Sequence, residues 1–240
     1  MRVLVLNGIG GDGIIALVVR TPDGLRLVGQ AEQPGRGAAL LPGLLRTMLR
    51  AAGWEVASLG LIAAITGPGS FTGLRATLAL AHGLALGAGV PLQGVAVAEA
   101  LRRTLMDGRA CDPSCRPPQG WAGSPSSWPI WCVGMARRDR LFVERPDDRG
   151  PQAYMVDALP LPGQPVLLAG DASPLVAARI GQAGGIAHIS GIERPDPLAV
   201  AAIALDRLEG RLPAQAALPL YIDPPEAKRP AAGLRPLPSP

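Results

Sequence analysis

One stretch, Ile62 to Leu86, constrains the fold of this chain more than any other, and it reads IAAITGPGSFTGLRATLALAHGLAL. An apolar run comes first, a loop with three glycines and a proline follows, and a long helix of small residues closes it. Gly67, Gly69 and Gly73 permit backbone angles that residues with a Cβ rarely adopt, and Pro68 stiffens the turn. A strand–loop–helix unit of this kind brings backbone N–H groups to a helix N-terminus, where an anion or a partner's carboxylate can dock.

The order of predicted elements around this unit indicates an α/β protein. Three consecutive strands followed by alternating helices and strands imply a mixed sheet that is covered by helices. The predicted strands of this first part are 2–7, 13–19, 25–30, 59–65 and 93–97, and its helices are 38–52, 73–86 and 98–106.

A second, weaker α/β pattern follows a stretch rich in Pro, Gly and Ser. It contains predicted strands at 130–136, 141–144 and 166–169. Ser173-Pro174 and Asp196-Pro197 are N-cap signatures that open helices at 174–183 and 197–209. The predicted organisation is an N-terminal lobe at 1–106, a loop or linker at 107–129, a C-terminal lobe at 130–212 and an extended tail at 213–240, with no repeat visible in the sequence.

Composition argues against strong RNA binding by this chain alone. The formal charge is +4, but Lys228 is the only lysine and 3% of the residues are aromatic. Platforms for single-stranded nucleic acid need aromatic rings between basic residues. The 48% of hydrophobic residues is enough for a sizeable core in a chain of 240 residues. The N-terminus has no signal-peptide pattern, and Arg75 and His82 interrupt the apolar run at 74–92, so a buried helix is expected there and no membrane span.

The residues that could bind a metal are too few and too dispersed. Cys111, Cys115 and Cys132 lack the second pair that a zinc site needs, which predicts free thiols in a reducing cytosol. His82 and His188 are the only histidines, so a metal centre built on histidines and carboxylates is not expected.

The sequence also gives little support for a nucleotide-binding site or a catalytic nucleophile. The loop lacks the lysine of a GxxxxGK[ST] phosphate loop and misses the GxGxxG spacing. Catalysis by Ser70 needs a base, and His82 lies well along the following helix, so a Ser–His pair is not expected.

The helix after the loop is apolar on nearly every side. Ala79, Gly83 and Gly87 recur every fourth residue, which lets another helix approach closely. A helix of this kind must be covered all round, either as the central helix of a monomer or by a second subunit. The residues alone leave both alternatives open.

The central motif, which continues to Leu101, resembles the signature of the TsaB (YeaZ) family, whose members are accessory subunits in the synthesis of N6-threonylcarbamoyladenosine at position 37 of tRNAs. Four further segments resemble family motifs: LLPGLLRTMLRAAG, GMARRDRLFVE, LAGDAS and PLYIDPPEAKRP. The resemblance implies an actin-like ATPase (ASKHA) fold with two related α/β lobes and mixed sheets, the second lobe being degenerate.

The resemblance also implies a non-catalytic scaffold in the cytoplasm, with no catalytic residue, no metal and no cofactor of its own. The chain would bind and stabilise a TsaD-type catalytic subunit, join a TsaE-type ATPase, meet tRNA only within the complex, and possess the capacity to form a homodimer when alone. ATP and Mg²⁺ would be used by the partner subunits. The alternative is a glycoprotease-like hydrolase of the same superfamily, with Ser70 or Thr72 as nucleophile.

Two sets of site residues follow from this resemblance. The glycine-loop motif comprises Gly67, Pro68, Gly69, Ser70, Phe71, Thr72, Gly73 and Arg75. The partner interface, placed on the first two helices, comprises Leu41, Leu45, Met48, Leu49, Leu78, Ala79, His82, Gly83 and Leu86.

The sequence departs from the family pattern at two places. Asn7-Gly8-Ile9 stands where the family has Asp-Thr-Ser, and Met135 stands where it often has Asp. A Mg-nucleotide site needs oxygen ligands at the first of these positions, so nucleotide binding weaker than in relatives is expected. Residues 107–129 resemble an insertion.

Overall fold

The computed structural model describes residues 1–10, 12–33, 40–108, 128–137 and 140–222. These residues form two α/β lobes, each built on a five-stranded mixed sheet. The first lobe contains β1 (Arg2–Asn7), β2 (Gly13–Thr21), β3 (Gly24–Gln33), α1 (Leu41–Ala52), β4 (Leu61–Gly67), α2 (Phe71–Ala88), β5 (Leu92–Ala96) and α3 (Val97–Met106). The second contains β6 (Ile130–Met135), β7 (Arg140–Glu144), β8 (Gln152–Met155), β9 (Val166–Ala169), α4 (Ser173–Gln182), β10 (Ala187–Ile189) and α5 (Pro197–Leu208).

The two sheets have the same topology. The first has the order β3-β2-β1-β4-β5, and the second has the order β8-β7-β6-β9-β10. In each, the first three strands form an antiparallel meander, and the first, fourth and fifth strands run parallel. Gly67 is the last residue of β4 and Gly170 directly follows β9, with φ of 116° and 120°. The predicted pair of related α/β lobes with mixed sheets is confirmed.

The second lobe is a reduced version of the first. Helix α1 connects β3 to β4, whereas a single 3₁₀ turn at Val156–Ala158 lies between β8 and β9. Strands β8 and β10 are four and three residues long. Neither strand was predicted, because QAYM and AHI contain polar residues and form no continuous apolar run like the VLLA of β9.

Helix boundaries follow the predicted caps with two shifts. Asp196 caps α5 as predicted, and its carboxylate accepts hydrogen bonds from the N–H groups of Leu198 and Ala199. Helix α4 is capped by Ala172 and not by Ser173, whose hydroxyl donates to the carbonyl of Gly170 at 2.7 Å. Helix α2 begins two residues before the predicted start, because Ser70 caps it.

One helix that is close in sequence to each lobe packs against the other lobe. Helix α5 follows the second sheet in the chain, yet it covers one face of the first sheet. In the reverse direction, Ala98 and Leu101 of α3 pack against Cys132 and Ala169 of the second lobe. The apolar core beneath α5 includes Val3, Val5, Val18, Leu61, Ala63, Ile65, Val95, Val200, Ile203 and Ala204.

The predicted domain boundaries at 106 and 212 stay a prediction, and the packing crosses them. Most of the predicted linker, 109–127, lies outside the described residues, as does the tail from 223 onward. Among the described residues, no helix combines the length and the apolar character that crossing a membrane requires.

The exchange of helices predicts a strong dependence of stability on α5. Ile203 is 2% exposed beneath the first sheet, so Ile203→Ala should lower the free energy of unfolding by about 2–5 kcal/mol. Leu175→Ala, on α4 at a position that is 38% exposed, should cost less than about 1 kcal/mol. Urea unfolding followed by circular dichroism measures both, and equal losses would contradict the placement of α5.

Candidate functional site

The glycine loop joins the end of β4 to the start of α2. Ser70 caps the helix: its Oγ accepts a hydrogen bond from the N–H of Gly73 at 3.3 Å, and its carbonyl accepts from Leu74 at 2.9 Å. One of the free N–H groups at the helix N-terminus is therefore satisfied by the loop itself.

The loop packs backbone against backbone on the turn between β1 and β2. The N–H of Ser70 donates to the carbonyl of Ile9 at 2.6 Å. A Cβ on Gly73 would lie 2.2 Å from the carbonyl oxygen of Gly8, and a Cβ on Gly69 would lie 2.7 Å from that of Ile9. These glycines are required because two main chains touch, and the N–H of Ser70 is used inside the protein.

The same contact involves the positions where the family has Asp-Thr-Ser. Asn7 is 4% exposed, and its Oδ1 accepts from the N–H of Ile9 at 3.1 Å. A Cβ on Gly8 would lie 2.3 Å from the hydroxyl oxygen of Thr77 and 2.6 Å from the carbonyl oxygen of Gly73. The face of this turn that looks toward α2 is thus in contact with protein, and weak nucleotide binding stays a prediction.

The hydroxyl of Ser70 is engaged with the backbone of α2, as described above, and His82 lies elsewhere. Twelve residues of helix separate the two, which corresponds to about 18 Å along the axis. His82 Nε2 lies 2.8 Å from the carbonyl oxygen of Ala217, which only accepts, so Nε2 donates. His188 lies on β10 of the second lobe, with its ring 4.9 Å from that of Trp128.

The described part of the predicted tail, residues 213–222, is built into the first lobe. Gly94 donates to the carbonyl of Gln215, and Leu220 donates to the carbonyl of Thr66, both at 2.8 Å. Ala217 is buried against the core. Because this segment also contacts His82, it covers one side of α2, a role that the sequence analysis did not predict.

An aromatic clamp holds the end of this segment at the start of α2. Arg75 Nε donates to the hydroxyl of Tyr221 at 2.6 Å. The Arg75 guanidinium lies 3.7 Å from the ring centre of Phe71, and the rings of Phe71 and Tyr221 are 5.5 Å apart. Two members of the predicted glycine-loop motif, Phe71 and Arg75, therefore fasten the C-terminal segment.

The predicted partner interface divides into buried and exposed residues. Leu41, Leu45, Leu49 and Leu78 lie in the core of the first lobe, because they pack on the sheet. This burial is at odds with a surface role for Leu41 and Leu78, whereas Leu45 and Leu49 also line the groove described below. Of the remaining predicted residues, Met48 is half-buried, and the exposed set comprises Ala79, His82, Gly83 and Leu86.

A surface groove of about 670 Å³ lies between α1 and α2. Core leucines of α1 reach it from one side, and Leu80 and Leu84 of α2 line the other. The groove-lining residues are Pro42, Leu45, Arg46, Leu49, Arg50, Gly53, Trp54, Glu55, Val56, Leu80 and Leu84. Most of them were absent from the predicted interface. The spacing of Leu80 and Leu84, four residues apart on a helix without charge at that face, is the sequence signal that could have identified them.

Burial makes the thiol of Cys132 unreactive. Burial raises the pKa of the Cys132 thiol to about 12, and Arg102 nearby offsets part of this effect. Cys132 is a free thiol, as predicted, and it is protonated at neutral pH, so it is a poor nucleophile. Cys111 and Cys115 lie outside the described residues. In the part of the chain that the structure describes, no three His, Cys, Asp or Glu side chains are grouped so that they could hold a metal ion.

Comparison with known proteins begins with a family model. The model described as TsaD: tRNA N6-adenosine threonylcarbamoyltransferase matches residues 37–116. This match spans less than half of the chain and contains α1, β4, α2, β5 and α3. No curated protein matches the sequence.

Two solved structures from Pseudomonas aeruginosa have this fold. One is YeaZ, with a TM-score of 0.66, and the other is described as a protein with similarity to peptidase YeaZ, with a TM-score of 0.67. Each is 19% identical to this chain, and each match covers 92% of this chain and 99% of the other. The expected resemblance to YeaZ is confirmed at the level of the fold, together with the actin-like ATPase architecture of two related lobes.

The backbone contact at the loop predicts opposite effects for one substitution at two glycines of α2. Gly73→Ala places a Cβ 2.2 Å from the Gly8 oxygen and should destabilise the protein by about 2 kcal/mol or more. Gly83→Ala enters open space on the same helix and should stabilise it by up to about 1 kcal/mol. Thermal unfolding measures both variants. A Gly73→Ala protein as stable as the wild type would show that the two backbones are not in contact.

Proposed function

We propose that this chain is a TsaB (YeaZ)-type accessory subunit for the transfer of a threonylcarbamoyl group to adenosine 37 of tRNA. It binds and stabilises a TsaD-type catalytic subunit in the cytoplasm and contributes no catalytic residue, metal or cofactor. A TsaE-type ATPase and tRNA join only within the complex, where ATP and Mg²⁺ are used by the partner subunits.

The groove between α1 and α2 is the observation that carries this proposal. It is a surface feature lined by leucines and Trp54, and next to it α2 presents a nearly apolar face to solvent. Leu86 on that face is 88% exposed. Ala79 and Gly83 on the same face are small, so a partner helix can approach closely. An exposed apolar surface of this kind marks a protein interaction site.

The family match supports the identity of the partner. The matched region, residues 37–116, contains both helices that form the groove. A TsaD-type protein therefore has a related segment, and its own two helices can meet α1 and α2 in a pseudo-symmetric contact. A second apolar surface of this kind on the partner would cover the face of α2 that this chain leaves exposed.

Filling the small-residue face of α2 tests this docking surface. Gly83→Leu adds a side chain where nothing lies within 4 Å, so the fold should persist while the approach of the partner is blocked. We expect the affinity for the TsaD-type subunit, measured by isothermal titration calorimetry, to fall by about tenfold or more, or about 1.4 kcal/mol.

Gly181→Leu is the matched control. Gly181 lies on α4 of the second lobe, and no atom lies within 4 Å of its added Cβ. This variant should bind as the wild type does. Wild-type affinity for Gly83→Leu would refute the proposed surface. An activity of the isolated chain that Ser70→Ala abolished would instead favour the hydrolase alternative.

A further inference from the structure

The two helices that form the groove carry positive charge only. Helix α1 contains Arg46 and Arg50, helix α2 contains Arg75, and neither helix contains an aspartate or a glutamate. Arg46 and Arg50 are four residues apart, which places both on one side of α1, and both line the groove. They are exposed, and within the described residues neither forms an ion pair.

One carboxylate lies at the groove and does not balance this charge. Glu55 lines the groove at the start of the 3₁₀ turn Val56–Ser58 and supplies one negative charge against the two positive charges of Arg46 and Arg50. The rim therefore keeps a net positive charge around an apolar interior. Paired arginines elsewhere show the contrast: Arg102 bonds Glu144 at 2.7 Å between the lobes.

We propose that the groove accepts an amphipathic helix of the partner subunit whose apolar stripe is flanked by aspartate or glutamate residues that face Arg46 and Arg50. The proposal rests on the function above and adds the chemistry that selects the partner. The leucines of α1 and α2 that line the groove would contact the apolar stripe of the partner helix, as in other helix-in-groove complexes. The two arginines select the helix by its charge, since complementary rim charges speed association and exclude wrong partners.

The positive charges of Arg46 and Arg50 also disfavour the binding of a second copy of this chain in the groove. A two-fold contact presents the same surface on both subunits, so a second copy would bring two more arginines to the interface and one glutamate, Glu55, from the groove lining. No acidic residue of α1 or α2 is available to compensate. The structure therefore favours a complex with an acidic partner over a homodimer through this groove.

Reversal of the two charges tests the proposal. The affinity of the full-length chain for the TsaD-type subunit is measured by isothermal titration calorimetry at about 50 mM and about 300 mM NaCl, because salt screens exposed charges. Wild-type affinity should fall as salt rises. Arg46→Glu with Arg50→Glu should bind about tenfold more weakly at low salt, and its affinity should no longer fall with salt.

A second pair of reversals provides the control. Arg26 and Arg149 are exposed and lie away from the groove, so Arg26→Glu with Arg149→Glu changes the net charge equally. This protein should bind as the wild type does at both salt concentrations. If both pairs weaken binding alike, overall charge and not the groove governs association, and the proposal is overturned.

Two further outcomes separate the proposal from the function on which it rests. If Gly83→Leu weakens binding and the Arg46/Arg50 reversal does not, the docking surface stands and the acidic-helix proposal fails. If neither weakens binding, the proposed function fails as well. Sedimentation velocity of the chain alone should show a monomer, and a dimer that Gly83→Leu disrupts would make a second copy the occupant.

Discussion

The contact between two backbones, the β1–β2 turn and the first turn of α2, determines the arrangement of the first lobe. Gly8 and Gly73 approach so closely that neither tolerates a side chain. This contact fixes where α2 begins, and α2 in turn positions Leu80 and Leu84 opposite α1. The groove therefore depends on glycines that lie outside it. The loop places the N-terminus of α2 against the first sheet and so determines which face of the helix is exposed.

The two lobes are tied together by the helices that they exchange. Helix α5 completes the core over the first sheet, and α3 packs on the second. The ion pair between Arg102 and Glu144 also joins the lobes. Packing and an ion pair therefore both cross the boundary between the lobes. The lobes of the chain are related in topology, although no repeat is visible in its sequence.

Long periodic segments made most of the fold predictable. The alternating order of strands and helices identified the mixed sheet of the first lobe, and the caps at Ser70 and Asp196 agree with local side-chain chemistry. Strands β8 and β10 were not predicted because their short sequences are partly polar, unlike the equally short but fully apolar β9.

The candidate site was only partly predictable, because helical periodicity does not say which side of a helix faces the sheet. Leu41 and Leu78 were predicted for a partner interface, but both side chains pack in the core of the first lobe. The position of α2 beside α1, which forms the groove, depends on a tertiary contact that no local pattern encodes. The same holds for residues 213–222, whose place beside β5 and α2 requires closure across most of the chain.

That closure has a consequence for the order of synthesis. All strands of the first sheet have been synthesised once β5 is made. One face of that sheet is covered only by the later helix α5, and one side of α2 only by residues 213–222. On the ribosome, the amino-terminal half emerges with apolar surface that is covered only after α5 and residues 213–222 have been made. Protection of a nascent chain by chaperones matters most for folds with contacts of this range.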